Sequence, residues 1–241
     1  MHRCVLLRAT STFDRHSDGN TQRIAQDAAW NEAMQTQRGA SASPFHGWCL
    51  AAWLGLGVAA ACAGVLALSS DPVDGTRMVI RLTARTSLLL FVLAFTASSL
   101  AQLLPSPATT WLRANRRYVG GAFAFSHVLH AAAIVALSQL APVLFGQLTT
   151  PASLIAGGLG YAVILLMFAT SFDRAVEMLG PQVWRILHKI GAWFLAIFFA
   201  VNFGRRAVVM PEMYWPYMAL IVAAIVVRVV AGRRKSETRT V

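Results

Sequence analysis

His127, His130 and His188 lie inside apolar runs, although the chain holds only six histidines. An ionisable side chain inside a bilayer costs roughly 2.5–3.5 kcal/mol on insertion scales for the charged types, so it normally has a partner or a task. Imidazole is a common axial ligand of haem iron. His127 and His130 stand three residues apart, which puts them on one face of a helix. His188 belongs to a different segment. Imidazoles from two helices could clamp one haem and fill both iron positions, giving a centre that passes single electrons and binds no substrate at iron. Arg116, Arg117, Arg185 and Lys189 could pair with its propionates, beside their simpler role as orientation charges. The plainer reading of the histidines is internal hydrogen bonding in a bundle. A bare metal ion fits worse, because the apolar segments contain no Asp and Glu212 sits at a segment end.

The elements that must position these residues are membrane spans. The chain is 56% hydrophobic and 13% charged, against about 25% charged residues in soluble domains. Six apolar segments approach the roughly 20 residues a spanning helix needs: about 47–68, 84–104, 118–140, 151–171, 182–203 and 212–232. Pro105 and Pro107 end the second, Pro151 suits the first turn of the fourth, and Gly232 with Arg233, Arg234 and Lys235 closes the sixth. The expected fold is an all-α polytopic bundle of six transmembrane helices. Residues 1–45 read as a polar, flexible tail, 46–233 as the transmembrane domain, and 234–241 as a basic tail. Counted from a third helix starting at Tyr118, His127 lies about 14 Å deep and His130 about 18 Å. Counted from Gln182, His188 lies about 9 Å deep. Depth therefore favours His127 slightly as the partner of His188.

The net charge of +11 does not point to nucleic acid, because the basic residues are interleaved with apolar segments. It sets orientation. Arg113, Arg116, Arg117, Arg174 and the C-terminal Arg233, Arg234, Lys235 and Arg239 outweigh Arg77, Arg81, Arg85, Arg205 and Arg206 on the opposite side. Both termini are thus expected in the cytoplasm. Cys4, Cys49 and Cys62 form no CxxC pair and suggest neither a disulfide framework nor a zinc site.

Two stretches carry a family resemblance. Arg116-Arg117-Tyr118-Val119-Gly120, then Phe125 to Leu129-His130, resembles an RRxLGL…YAxLH signature. Thr170-Ser171, Leu179-Gly180, Trp184 and Leu187-His188-Lys189 resembles TS…LGxxWxxLHR. Both belong to the MsrQ/YedZ family of haem-binding subunits, within the ferric-reductase-like transmembrane group, and the likeness spans about 80–205. The resemblance implies that His130 and His188 ligate haem, and it treats the position of His127 as a non-ligand. It implies haem b, allows FMN, and implies electron delivery across a bacterial inner membrane. The donor would be a cytoplasmic protein or quinol, and the acceptor a partner oxidoreductase such as a periplasmic methionine sulfoxide reductase. One departure stands out: the family's further histidine, 13 residues after the first on the fifth helix, is here Val201, followed by Asn202. One haem is therefore expected, with His127 a candidate substitute ligand.

The expected function is a membrane b-haem electron-transfer subunit, in contact with lipid and a redox partner. With no GxGxxG, it is not expected to be catalytic alone. The alternative is a haem-free membrane scaffold or transporter-like protein of the same fold.

Overall fold

A computed structural model describes residues 45–237. The expected tail at 1–45 falls outside it except for Phe45. Among the described residues all regular structure is helical: α1 Gly47–Leu68, α2 Pro72–Leu103, α3 Pro107–Leu140, α4 Pro142–Leu148, α5 Pro151–Ala169, α6 Asp173–Leu179, α7 Pro181–Val209 and α8 Pro211–Glu237. Six of these are long and apolar enough to cross a membrane. The chain is a multi-pass membrane protein whose outer surface is apolar side chain.

Proline opens most of the helices, where its missing N–H would be unpaired in any case. Asp71 caps α2, its carboxylate accepting from Asp74 N at 2.9 Å. Ser106 and Thr109 form a capping box ahead of α3. These caps lengthen both helices beyond expectation. The 105–117 stretch, expected as a loop, is mostly the first three turns of α3. Arg77 and Arg81, expected in a loop, lie on α2. The sixth span likewise runs past Gly232 to Glu237. Gly180 ends α6 with φ 76°, a left-handed backbone that glycine adopts without a Cβ penalty.

The central pair is α2 against α3. Small hydroxyls let them approach: Ser87 donates to Ser126 at 2.8 Å, and Thr86 and Ser126 lie 3.3 Å apart. Such pairing suits helices packed where lipid offers polar groups no alternative. Phe91, Phe95, Phe123 and Phe199 stack through the core and join α7 to this pair. α8 closes the side with Tyr214, Ile221 and Ala224. Its Arg228 lies 4.4 Å over the Phe95 ring and donates to the Phe95 carbonyl.

Candidate functional site

A cavity of about 1250 Å³ opens between α2, α3, α5 and α7. Ligand pockets commonly measure roughly 300–1,000 Å³, so this one has room for a large group. Ile80, Ile134, Phe194 and Phe198 make much of its wall apolar, and Gly157 and Gly158 add no side chain to it. A Cβ on either glycine would meet no atom within 4 Å. His127 and His130 project from α3, and Tyr161 from α5.

The histidines differ in their bonding. Thr83 Oγ1 is fully buried and lies 2.7 Å from the Val79 carbonyl, 3.2 Å from the Ile80 carbonyl and 2.9 Å from His130 Nδ1. A threonine hydroxyl has one proton, and the carbonyls take it. With that proton on a carbonyl, Thr83 Oγ1 is an acceptor for His130 Nδ1–H, the tautomer that carries the lone pair on Nε2. Metal-bound imidazoles are held in this manner by a partner on the other ring nitrogen. His127 sits 5.8 Å from His130 and 5.7 Å from Tyr161, ring centre to ring centre. Its Nδ1 and the Tyr161 hydroxyl are buried without a hydrogen-bond partner.

His188 is elsewhere. Its Nε2 lies 3.1 Å from Thr170 Oγ1, whose proton goes to the Leu166 carbonyl at 2.7 Å. Its ring stacks on Trp184 at 4.4 Å, and Trp184 Nε1 donates to the Thr170 carbonyl. His127 packs against Phe199, 5.9 Å away. Phe199 is eleven residues beyond His188 on the continuous α7, about 16 Å along its axis at 1.5 Å per residue. Metal–imidazole bonds are about 2 Å long, so two ligands of one iron hold their nitrogens within roughly 4 Å. The structure brings His127 and His130 together and leaves His188 a level away from both.

The arginines expected to line the site do not line this cavity. Arg117 pairs with Asp173 at 2.7 Å and lies over the Trp48 and Tyr118 rings. Arg116 donates to Ser98, and Arg185 Nε to the Pro181 carbonyl. The cavity is instead bordered by Arg77, Arg81 and Arg85 from α2 and Arg205 and Arg206 from α7. Arg77 also pairs with Asp74 at 3.1 Å, and Arg206 donates to the Tyr214 hydroxyl at 3.3 Å. The 77-81-85 spacing, four residues each time, was the sequence signal for one helix face. Among the described residues no three His, Cys, Asp or Glu side chains converge as metal ligands. The site can offer an imidazole nitrogen inside an apolar slot and guanidinium groups at its border.

Residues 82–199 match the family described as ferric reductase like transmembrane component. This stretch of the chain is therefore a ferric-reductase-like transmembrane domain, and it contains all three membrane histidines. Comparison with curated proteins and with solved structures gives no match.

Proposed function

We propose that the chain is the haem-carrying, electron-transferring component of a membrane oxidoreductase, in which His130 would hold the haem iron in the arginine-bordered cavity. The observation that carries this reading is the 2.9 Å contact between Thr83 Oγ1 and His130 Nδ1 at the edge of the cavity, which orients the ring as an outer-shell partner orients a metal ligand. The residues fit a haem in three further ways. The slot is largely apolar, Gly157 and Gly158 leave open space beside it, and arginines border it where two carboxylates could pair with them. A bound haem b supplies a one-electron carrier. The chain's own residues orient and bury it: Thr83 holds the ligand ring, Ile80, Ile134 and Phe198 exclude water, and Arg81 and Arg205 offer charge to the propionates.

In this reading the protein sits in a bacterial inner membrane. It takes electrons from a quinol or a cytoplasmic donor, with FMN allowed, and passes them to a partner such as a methionine sulfoxide reductase. His188 bridges α7 to the end of α5 through Thr170 and does not share the iron. A haem-free scaffold is the rival, favoured by Val201 and Asn202 on the cavity wall where the resembled family has a ligand.

The test is a dithionite-reduced minus air-oxidised spectrum of the purified protein, with haem counted per chain. A b-type spectrum near one haem per chain is expected. His130→Ala should lose it, and His188→Ala should keep it. A colourless protein made with ample haem would establish the scaffold, and haem loss in His188→Ala alone would move the site.

A further inference from the structure

We infer that the other end of the bundle, away from the cavity, holds the phosphate of one anionic phospholipid, bound by Arg116 from α3 and Arg228 from α8 where both meet α2. The inference is independent of the haem assignment. Arg228 Nη1 donates to the Phe95 carbonyl, and its guanidinium lies 4.4 Å over the Phe95 ring. Arg116 Nη1 donates to Ser98 Oγ. Residues three apart on a helix share a face, and a helical carbonyl points toward the N–H four residues on. The Phe95 carbonyl therefore points toward Ser99, beside Ser98, and the two cations meet α2 within about one turn, roughly 5.4 Å. Nearer the end of α2, Gln102 Nε2 donates to the Ala231 carbonyl at 3.2 Å. This keeps α8 against α2, so α8 and α3 form the two sides of a notch over α2.

Neither cation has a carboxylate partner among the described residues. Asp74 is the last acid on α2, α3 and α7 have none, and the acids of α8 are Glu212 and Glu237. These stand about 24 Å before and about 13.5 Å after Arg228 along the axis. Asp173 is taken by Arg117. Two guanidinium groups this close repel each other, and an anion between them turns that repulsion into attraction. Each carries five N–H donors, and a phosphodiester offers two free oxygens that arginine forks hold well. Depth selects a lipid as the source. α2 has 32 residues, about 48 Å, against a hydrocarbon core of about 30 Å. Centred there, it extends about 9 Å beyond the core at each end. Ser98 lies about 7.5 Å and Phe95 about 12 Å from the end of α2 at Leu103. The arginine pair thus straddles the boundary between acyl chains and headgroups, where lipid phosphate is concentrated. Basic pockets between spans take anionic headgroups in this manner.

The probe is phosphatidylglycerol titrated into the detergent-purified full chain, with bound lipid counted by native mass spectrometry and phosphatidylcholine as the zwitterionic control. The expected result is one phosphatidylglycerol retained per chain at concentrations where phosphatidylcholine is not. Arg116→Gln and Arg228→Gln should each weaken retention about tenfold or more, the value of a hydrogen bond to a charged group. Arg174→Gln removes an exposed cation at the same end and should leave retention unchanged. Arg228 also packs on Phe95, so if circular dichroism shows its variant unfolded, the exposed Arg116 decides. Undiminished binding in Arg116→Gln overturns the inference. Equal retention of the two lipids, or an equal loss in Arg174→Gln, means diffuse attraction and overturns it too. Displacement of the lipid by inorganic phosphate would make this a site for the free ion and overturn the lipid assignment. None of these readouts depends on whether haem is bound.

Discussion

His130 and His127 are three residues apart, yet only His130 has a side-chain partner on its Nδ1. The difference is a single hydroxyl. Thr83 lies 2.7 Å from the Val79 carbonyl one turn earlier and 2.9 Å from His130 Nδ1, so a hydroxyl bonded to its own helix is an acceptor for the imidazole. That contact orients the ring. His127 lacks such a partner at Nδ1. Replacing Thr83 with valine keeps the shape and removes the acceptor. Loss of an outer-shell partner typically weakens metal affinity by about 10–100-fold. Thr83→Val should therefore release haem to an apo-globin-type acceptor faster by about that factor, with the helical circular dichroism unchanged. Equal release rates in the two proteins would mean that His130 is not the ligand.

At the scale of helices, α5 presents two kinds of glycine to the space around it. Gly160 meets Phe198 closely: a Cβ there would lie 3.3 Å from the ring. Gly157 meets nothing within 4 Å and borders the cavity. Leucine at the two positions should then act oppositely. Gly160→Leu forces α5 away from α7, and overpacking of this kind costs about 1–3 kcal/mol, so its melting temperature should fall whether or not haem is bound. Gly157→Leu should leave the haem-free protein as stable as wild type and lower the haem recovered per chain. A drop in haem-free stability for Gly157→Leu would show that this glycine is a packing contact. The spans themselves were legible from apolar runs, the first of them to the residue, because hydrophobic length is a direct consequence of bilayer thickness. The helix starts were less so. Arg113, Arg116 and Arg117 made the opening of α3 look like a loop, although Ser106 and Pro107 marked a cap before it. Starting α3 at Pro107 adds eleven residues, about 16 Å. That shift separates His188 from the α3 pair and undoes the depth match that a start at Tyr118 suggested. The cavity arginines were missed for a related reason, being counted as loop charge when three of them follow a helical repeat on α2.

For the whole molecule, those same arginines change how charge reports orientation. At the end where α3 and α7 begin, Arg113, Arg116, Arg117, Arg174, Arg185 and Lys189 lie close to the ends of spans, and α8 ends on the same side with Arg233 and Arg234. At the opposite end the short connections 69–71, 141 and 149–150 carry no Lys or Arg. The arginines there sit on helices that border the cavity. Arginines lining a cavity differ from loop charges beside a membrane, so the connecting segments give a cleaner positive-inside signal than the full count. The cavity, lying at the end where α2 begins and α7 finishes, should accordingly face the periplasm. In a background with Cys4, Cys49 and Cys62 replaced by serine, Gln147→Cys and Arg174→Cys place single thiols at exposed positions on opposite ends. An impermeant maleimide added to intact spheroplasts should label Gln147→Cys and spare Arg174→Cys until the membrane is broken. The reverse pattern would turn the protein over. It would place the arginine-bordered cavity against the cytoplasm, so that any partner protein exchanging electrons there would have to be a cytoplasmic one.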